Sequence, residues 1–113
     1  MTKVGEHITL DIIGTTKEYD PSLFEKVIID IAKAANVTIL NISKYKFEPQ
    51  EFTILALLAE IHISFHTFPE KGIISFDFFT CGKVSPTIAI DIIKKEFKHK
   101  RIVKKEFNRD TKS

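Results

Sequence analysis

Hydrophobic and polar positions change period repeatedly along this chain, and each change marks an element. From Ile8 to Ile13 the two kinds alternate and β-branched side chains dominate, which predicts a strand ended by Gly14-Thr15-Thr16. Asp20 and Pro21 form a helix start, a carboxylate N-cap followed by proline at the first helical position. Phe24, Val27, Ile28, Ile31 and Ala35 then recur at helical spacing as one apolar stripe, which stops near Asn36. Val37 to Phe47 reads as a strand closed by Pro49, and the nearly continuous apolar run from Phe52 to Glu60 predicts a buried central strand. Ile61 to His66 alternates, with Ile61, Ile63 and Phe65 on one face and His62, Ser64 and His66 on the other. Pro69 to Gly72 is a turn, and Ile73 to Cys81 is the hairpin partner strand, broken by Gly82. Ser85-Pro86 repeats the cap-and-proline start, and Ile88, Ala89, Ile92, Ile93 and Phe97 make a second stripe. Arg101 to Phe107 is a last strand, with a tail expected to fray from Asn108.

Strand, helix, several strands, helix, strand, with short links between neighbouring strands, predicts antiparallel pairing. The expected fold is α+β: a two-layer sandwich in which two helices cover one face of a mainly antiparallel sheet. The other face must meet solvent or a partner. Phe76, Phe78 and Phe79 are assigned to it, and ten phenylalanines among 113 residues make the chain rich in them. A homodimer through the sheet is the expectation.

Composition narrows the class. The 113 residues fit one domain, residues 1–113. Folding at this size buries roughly 65% of the unfolded chain's surface, enough for a monomer to fold. No apolar run approaches the roughly 18 residues of a membrane span, and the N-terminus has no signal-peptide core. One cysteine, Cys81, excludes an internal disulfide and fits a reducing cytoplasm. A net charge of +2 gives no argument for nucleic acid. Lys94, Lys95, Lys98, Lys100, Arg101, Lys104, Lys105 and Arg109 crowd the C-terminal part, but Glu96, Glu106 and Asp110 interleave. A solvated helix face and an edge strand guarded by lysines account for that pattern, with an anion patch as the other reading. His62 and His66 share a strand face about 13 Å apart at ~3.3 Å per residue. One zinc ion, with ligands about 2.0–2.1 Å away, cannot take both, so no metal is expected.

The segment Ala59-Glu60-Ile61-His62-Ile63-Ser64-Phe65-His66-Thr67-Phe68-Pro69-Glu70 resembles the processing-site pattern A-E-S-H-x-S-x-H-T-W-P-E of the small prokaryotic, pyruvoyl-dependent S-adenosylmethionine decarboxylases. Asp77-Phe78-Phe79-Thr80-Cys81-Gly82 is similar to that family's D-V-F/Y-T-C-G, and Lys46-Phe47-Glu48-Pro49-Gln50 to its K-F-x-P-Q-G. The likeness runs from about Gly5 to Lys104. It implies that the Glu60–Ile61 junction corresponds to the self-cleavage site. There the serine hydroxyl attacks the preceding carbonyl, and elimination and hydrolysis leave a pyruvoyl group that acts as an electron sink. In this chain that serine is Ile61, which has no β-oxygen, so a pyruvoyl cofactor is expected for the family and not formable here. Ile61 also has a structural reading: it extends the apolar side of the strand.

The resemblance assigns the remaining candidates. Cys81 matches the catalytic proton donor, or else is a small buried residue. His66 matches a processing histidine and Thr53 a processing hydroxyl. Glu70 matches a ribose-binding carboxylate and Phe47 an adenine-stacking ring. Phe68 replaces a tryptophan, and Glu51 and Ile54 replace glycines, adding bulk near the pocket. A Cys81–His66 pair forms only if the fold joins them. Three functions are expected from this set. The leading one is an unprocessed, non-catalytic regulatory or partner subunit of polyamine (spermidine) biosynthesis, pairing with itself or with an active decarboxylase paralogue. The second is a module that binds an adenosyl or amine ligand. The third is an active S-adenosylmethionine decarboxylase.

Overall fold

The computed structural model describes residues 3–15, 20–48, 51–81 and 84–110. In chain order the elements are β1 (Lys3–Ile13), α1 (Pro21–Ala35), β2 (Ile39–Lys46), β3 (Phe52–Leu58), β4 (Ile61–Phe68), a 3-10 turn (Pro69–Lys71), β5 (Ile73–Thr80), α2 (Thr87–Glu96) and β6 (Arg101–Asp110). The strands form one antiparallel sheet in the order β2-β3-β4-β5-β1-β6. Both helices lie on one face, the expected two-layer α+β architecture. Among the described residues no helix is long and apolar enough to cross a membrane.

Local chemistry explains the helix ends. The Asp20 carboxylate accepts a hydrogen bond from the Ser22 N–H, and Pro21 begins α1. Asn36 ends it in the left-handed conformation, its N–H donating to the Lys33 carbonyl. The Ser22 bonds hold the Asp20 carboxyl below its usual pKa of 3.8. A carboxyl with a lowered folded-state pKa stabilises the fold above its unfolded pKa, and that contribution is lost as the pH falls through the folded value. Asp20→Ala is therefore expected to melt below the wild type at neutral pH, with the gap closing below about pH 3.8. A series of thermal melts across that range checks it. Before α2, the Ser85 hydroxyl accepts from the Thr87 N–H, so the helix begins one residue later than Pro86. After the 3-10 turn, Gly72 sits at φ +64°, and its carbonyl accepts from the Gly14 and Thr15 N–H groups, tying the β4–β5 connection to the end of β1.

The core lies between the helices and one side of the sheet. Ile8, Leu10 and Ile12 of β1, Ile54, Ala56 and Leu58 of β3, Ile61, Ile63 and Phe65 of β4, and Ile74, Phe76 and Phe78 of β5 all point into it. Phe24 of α1 is its centre, edge-on to Phe52 (4.9 Å) and Phe65 (5.1 Å) and tilted against Phe97 (5.1 Å).

The structure corrects several sequence expectations. Phe76 and Phe78 belong to the covered face, and only Phe79 of that trio faces outward, because side chains alternate along β5. The apolar run in β3 is buried on one face only: Leu55 and Leu57 are 53% and 52% exposed on the other. On α2 the buried residues are Ala89, Ile90 and Ile93, while Ile88 and Ile92 are half-buried; the stripe is rotated by part of a turn. β1 starts earlier than Ile8 and β6 runs to Asp110 in place of a frayed tail, because the two strands pair along most of their length. β2 starts at Ile39, after Val37. Pro49 and Gly82, expected to close strands, lie outside the described residues, as do Thr16 and Gln50. The basic residues fall as their solvated reading expects: Lys94 and Lys95 are exposed on the last turn of α2, and Arg101, Lys104, Lys105 and Arg109 are exposed on the edge strand β6.

Candidate functional site

The uncovered face of the sheet is a mosaic. Register places His7, Thr9 and Asp11 of β1 beside Phe79, Asp77 and Ser75 of β5, and those beside His62, Ser64 and His66 of β4. Thr53, Leu55 and Leu57 of β3 follow. Polar side chains on a flat sheet satisfy one another across strands. His7 Nε2 lies 3.1 Å from Asp77 Oδ1, and Ser64 Oγ donates to Asp77 Oδ2 at 3.4 Å. Ser75 Oγ donates to Asp11 Oδ1 at 3.0 Å. Thr53 Oγ1 and His66 Nδ1 share a hydrogen bond of 2.9 Å. The His62 ring stacks on Phe79 with centroids 5.2 Å apart, and the Arg109 guanidinium lies 5.2 Å over the same ring. Phe79 lies flat across Gly5, where a Cβ would come within 2.7 Å of the ring.

The β3–β4 hairpin ends at the junction singled out by sequence. Glu60 is one of two described non-glycine residues at positive φ, +66°. Its carbonyl accepts from the Cys81 backbone N–H at 3.0 Å and from the Cys81 thiol at 3.4 Å. Two donors on one carbonyl oxygen withdraw electron density and make its carbon more open to addition. Cys81 is exposed, which excludes the buried-residue reading. Ile61, the next residue, turns its side chain the other way: it is 3% exposed, paired with Leu58 and Thr80 on the core side. Its aliphatic chain offers no heteroatom to the activated carbonyl.

The other candidates gather at the opposite end of the sheet. Thr53 and His66 are hydrogen-bonded neighbours near the far end of β4. Phe68 closes that strand, half-buried, with the Lys71 ammonium 5.8 Å from its ring centroid. Glu70 is exposed in the following turn. Phe47, just beyond β2, is exposed and leans on Tyr45 (4.6 Å), its N–H donating to the Glu51 carbonyl. Along β4 this cluster stands about 20 Å from Glu60 at ~3.3 Å per residue. The fold therefore does not bring Cys81 and His66 together within one chain. Ile54, expected to add bulk near the pocket, points into the core opposite Phe65. Sequence reasoning passed over His7, Asp11, Ser64, Ser75 and Asp77 as a network. The signal was present in the alternation of polar residues along β1 and β5, but partners distant in sequence declare themselves only through register. Among the described residues no group of three or more histidine, cysteine or acidic side chains could hold a metal ion.

Residues 6–110 match the profile of the S-adenosylmethionine decarboxylase family. The chain is 40% identical over 111 residues to the S-adenosylmethionine decarboxylase proenzyme of Prochlorococcus marinus (strain MIT 9313), covering 96% of this chain and 89% of that one. It is 39% identical over 105 residues to the proenzyme of the same name from Methanococcus maripaludis (strain C7), covering 90% and 86%. Among solved structures, the crystal structure of the adenosylmethionine decarboxylase from Aquifex aeolicus VF5 superposes with a TM-score of 0.87 at 32% identity, covering 100% of this chain and 96% of that one.

Proposed function

Because the chain belongs to the S-adenosylmethionine decarboxylase family, we propose that it serves polyamine biosynthesis as an uncleaved, non-catalytic subunit, a single cytoplasmic domain that works by pairing. One observation carries the reading. The peptide that Cys81 grips is followed by Ile61, a buried hydrocarbon, where the resembled pattern has serine. Conversion of a chain into a pyruvoyl group needs an oxygen on that residue's β-carbon to attack the carbonyl and then to leave. The residues present do not fit the group. What remains is a polarised carbonyl followed by a residue with no attacking atom of its own.

Pairing is supported by two features. The open sheet face carries half-exposed Leu55 and Leu57 together with Tyr45, Phe47 and Phe107, more apolar surface than solvent requires. The inherited residues also divide into two groups at opposite ends of β4. A second chain of the same fold laid on this face, whether an identical copy or an active relative, is the occupant that gives both features a use.

Intact mass spectrometry of the purified protein tests the reading. One species of 12.9 kDa is expected. Two fragments that divide between Glu60 and Ile61 would overturn it and restore the decarboxylase reading.

A further inference from the structure

We infer that the open sheet face is a pH-gated contact: two copies of this chain associate through it while His62 and His66 are neutral, and protonation of those two imidazoles parts them. The inference rests on the pairing reading above and goes beyond it by naming what controls the contact.

Placement is the first observation. The chain has four histidines, and register puts His7, His62 and His66 on the one sheet face that no helix covers. His99 lies elsewhere, its Nδ1 2.7 Å from the Phe97 carbonyl oxygen. An ordinary imidazole changes charge between pH 5 and 8, so the charge of this face changes steeply in that range.

The second observation is which imidazoles have a counter-charge. His7 Nε2 meets Asp77 Oδ1 at 3.1 Å, so protonation there makes an ion pair that a partner can cover intact. His62 has Leu57 beside it on β3 and Phe79 on β5, with His7 beyond that ring and the Arg109 guanidinium over it. His66 has Thr53 on β3 and then Tyr45 on β2; on its other side are Ser75 on β5 and Asp11 on β1. Asp77 stands diagonal to both histidines, about 7–8 Å away, with one oxygen engaged by His7 and the other by Ser64. Asp11 is two strands from His66, about 10 Å, and holds the Ser75 hydroxyl. Glu60 and Glu70 sit in the connections beyond the two ends of β4. Among the described residues, neither His62 nor His66 has a carboxylate within hydrogen-bond distance; their ring partners are Phe79 and Thr53.

The rest of the face suits a copy of itself. Asp11 and Asp77 stand on the inner strands and Arg101, Lys105 and Arg109 on β6, so opposite signs are close to balance. Leu55, Leu57, Tyr45 and Phe107 add exposed apolar surface. A second sheet stacked about 10 Å away takes the water from His62 and His66. A neutral imidazole tolerates that loss. An imidazolium without a counter-ion gives up its solvation for nothing in return. Both rings are held in the face, His62 stacked on Phe79 at 5.2 Å and His66 bonded to Thr53 at 2.9 Å. Pairing therefore favours the neutral form. It is strongest above about pH 6.5, the ordinary imidazole value, and weakens as the pH falls through it. Each imidazole that sheds a proton in order to pair lowers affinity about tenfold for every pH unit below that value.

Sedimentation equilibrium of the full chain at pH 7.5, 6.5 and 5.5, at constant ionic strength, tests the inference, with circular dichroism at each pH to confirm the fold. The dimer dissociation constant is expected to rise by at least about 100-fold from pH 7.5 to 5.5, the effect of two imidazoles discharged over one unit. The double variant His62→Gln with His66→Gln is expected to pair across the range with less than about a tenfold change, and His99→Gln to follow the wild type. Should the double variant fail to fold, the single substitutions carry the same test, each removing about half of the logarithmic shift. A dimer whose affinity does not vary with pH, or a pH dependence that survives loss of both histidines, overturns the inference and leaves the pairing reading in place. A chain that is monomeric at pH 7.5 overturns this inference together with self-pairing.

Discussion

Ile61→Ser is expected to destabilise the fold by about 3–5 kcal/mol and to yield only slow, partial scission after Glu60. The stability loss follows from position. Ile61 is buried among Leu58, Thr80 and the neighbouring core residues, so its removal leaves a void and puts a hydroxyl into the edge of the apolar core. The limited scission follows from geometry. A serine placed on the same backbone begins with its oxygen on the core side of β4, whereas His66 lies on the open side at the far end of the strand, about 20 Å from Glu60 at ~3.3 Å per residue. Glu51 and Phe68 also differ from the resembled pattern. Denaturant titration measures the first effect and intact mass the second, with Ile61→Ala as the comparison that has the void and no oxygen. Complete, rapid scission of Ile61→Ser would show that nothing but one oxygen separates this chain from self-processing.

Phe24→Ala is expected to cost about 3–5 kcal/mol. Phe24 is fully buried and meets Phe52, Phe65 and Phe97 at once, joining α1 to β3, β4 and the end of α2. Besides the cavity, the change forfeits edge-to-face contacts worth about 0.5–1.5 kcal/mol each. Against a total stability of about 5–15 kcal/mol, typical of domains of this kind, that is a large fraction. In urea the midpoint should fall with little change in slope, since the same surface is exposed on unfolding. A shift smaller than about 1 kcal/mol would mean that α1 packs more loosely than its aromatic contacts indicate.

Local signals in the sequence were reliable where local physics decides the outcome. Asp20-Pro21, the α1 stripe, the Ile61-to-His66 alternation and the Pro69-to-Gly72 turn all depend on neighbours within a few residues, and each stands as read except that the last buried position of the α1 stripe is Ala32, with Ala35 half-buried. Errors arose where the answer depends on a distant strand. Phe76 and Phe78 look outward or inward only once β5 is registered against β1 and β4. Leu55 and Leu57 read as core because a continuous apolar run does not say that one face is open. Ile54 was placed near a pocket because it stands where the resembled pattern has glycine, whereas register turns it into the core. At the site, the motif residues were legible one by one, and Glu60 with Cys81 form a contact. Their separation from His66 was not legible, because a motif records order along the chain and β4 converts that order into distance.

The first and last strands are neighbours. β6, formed by the final described residues, pairs only with β1, whose other edge meets β5. β2 to β5 therefore form a meander of sequence-adjacent pairs, while β1 keeps its outer hydrogen-bonding groups unclaimed at the edge of β5 until β6 has been made. Pairings between such remote segments slow folding, because most of the chain must close into a loop before they form. Nascent chains stalled before Arg101 would expose that edge, and β6 with its crowd of cationic side chains then covers it and presents a charged edge to other polypeptides.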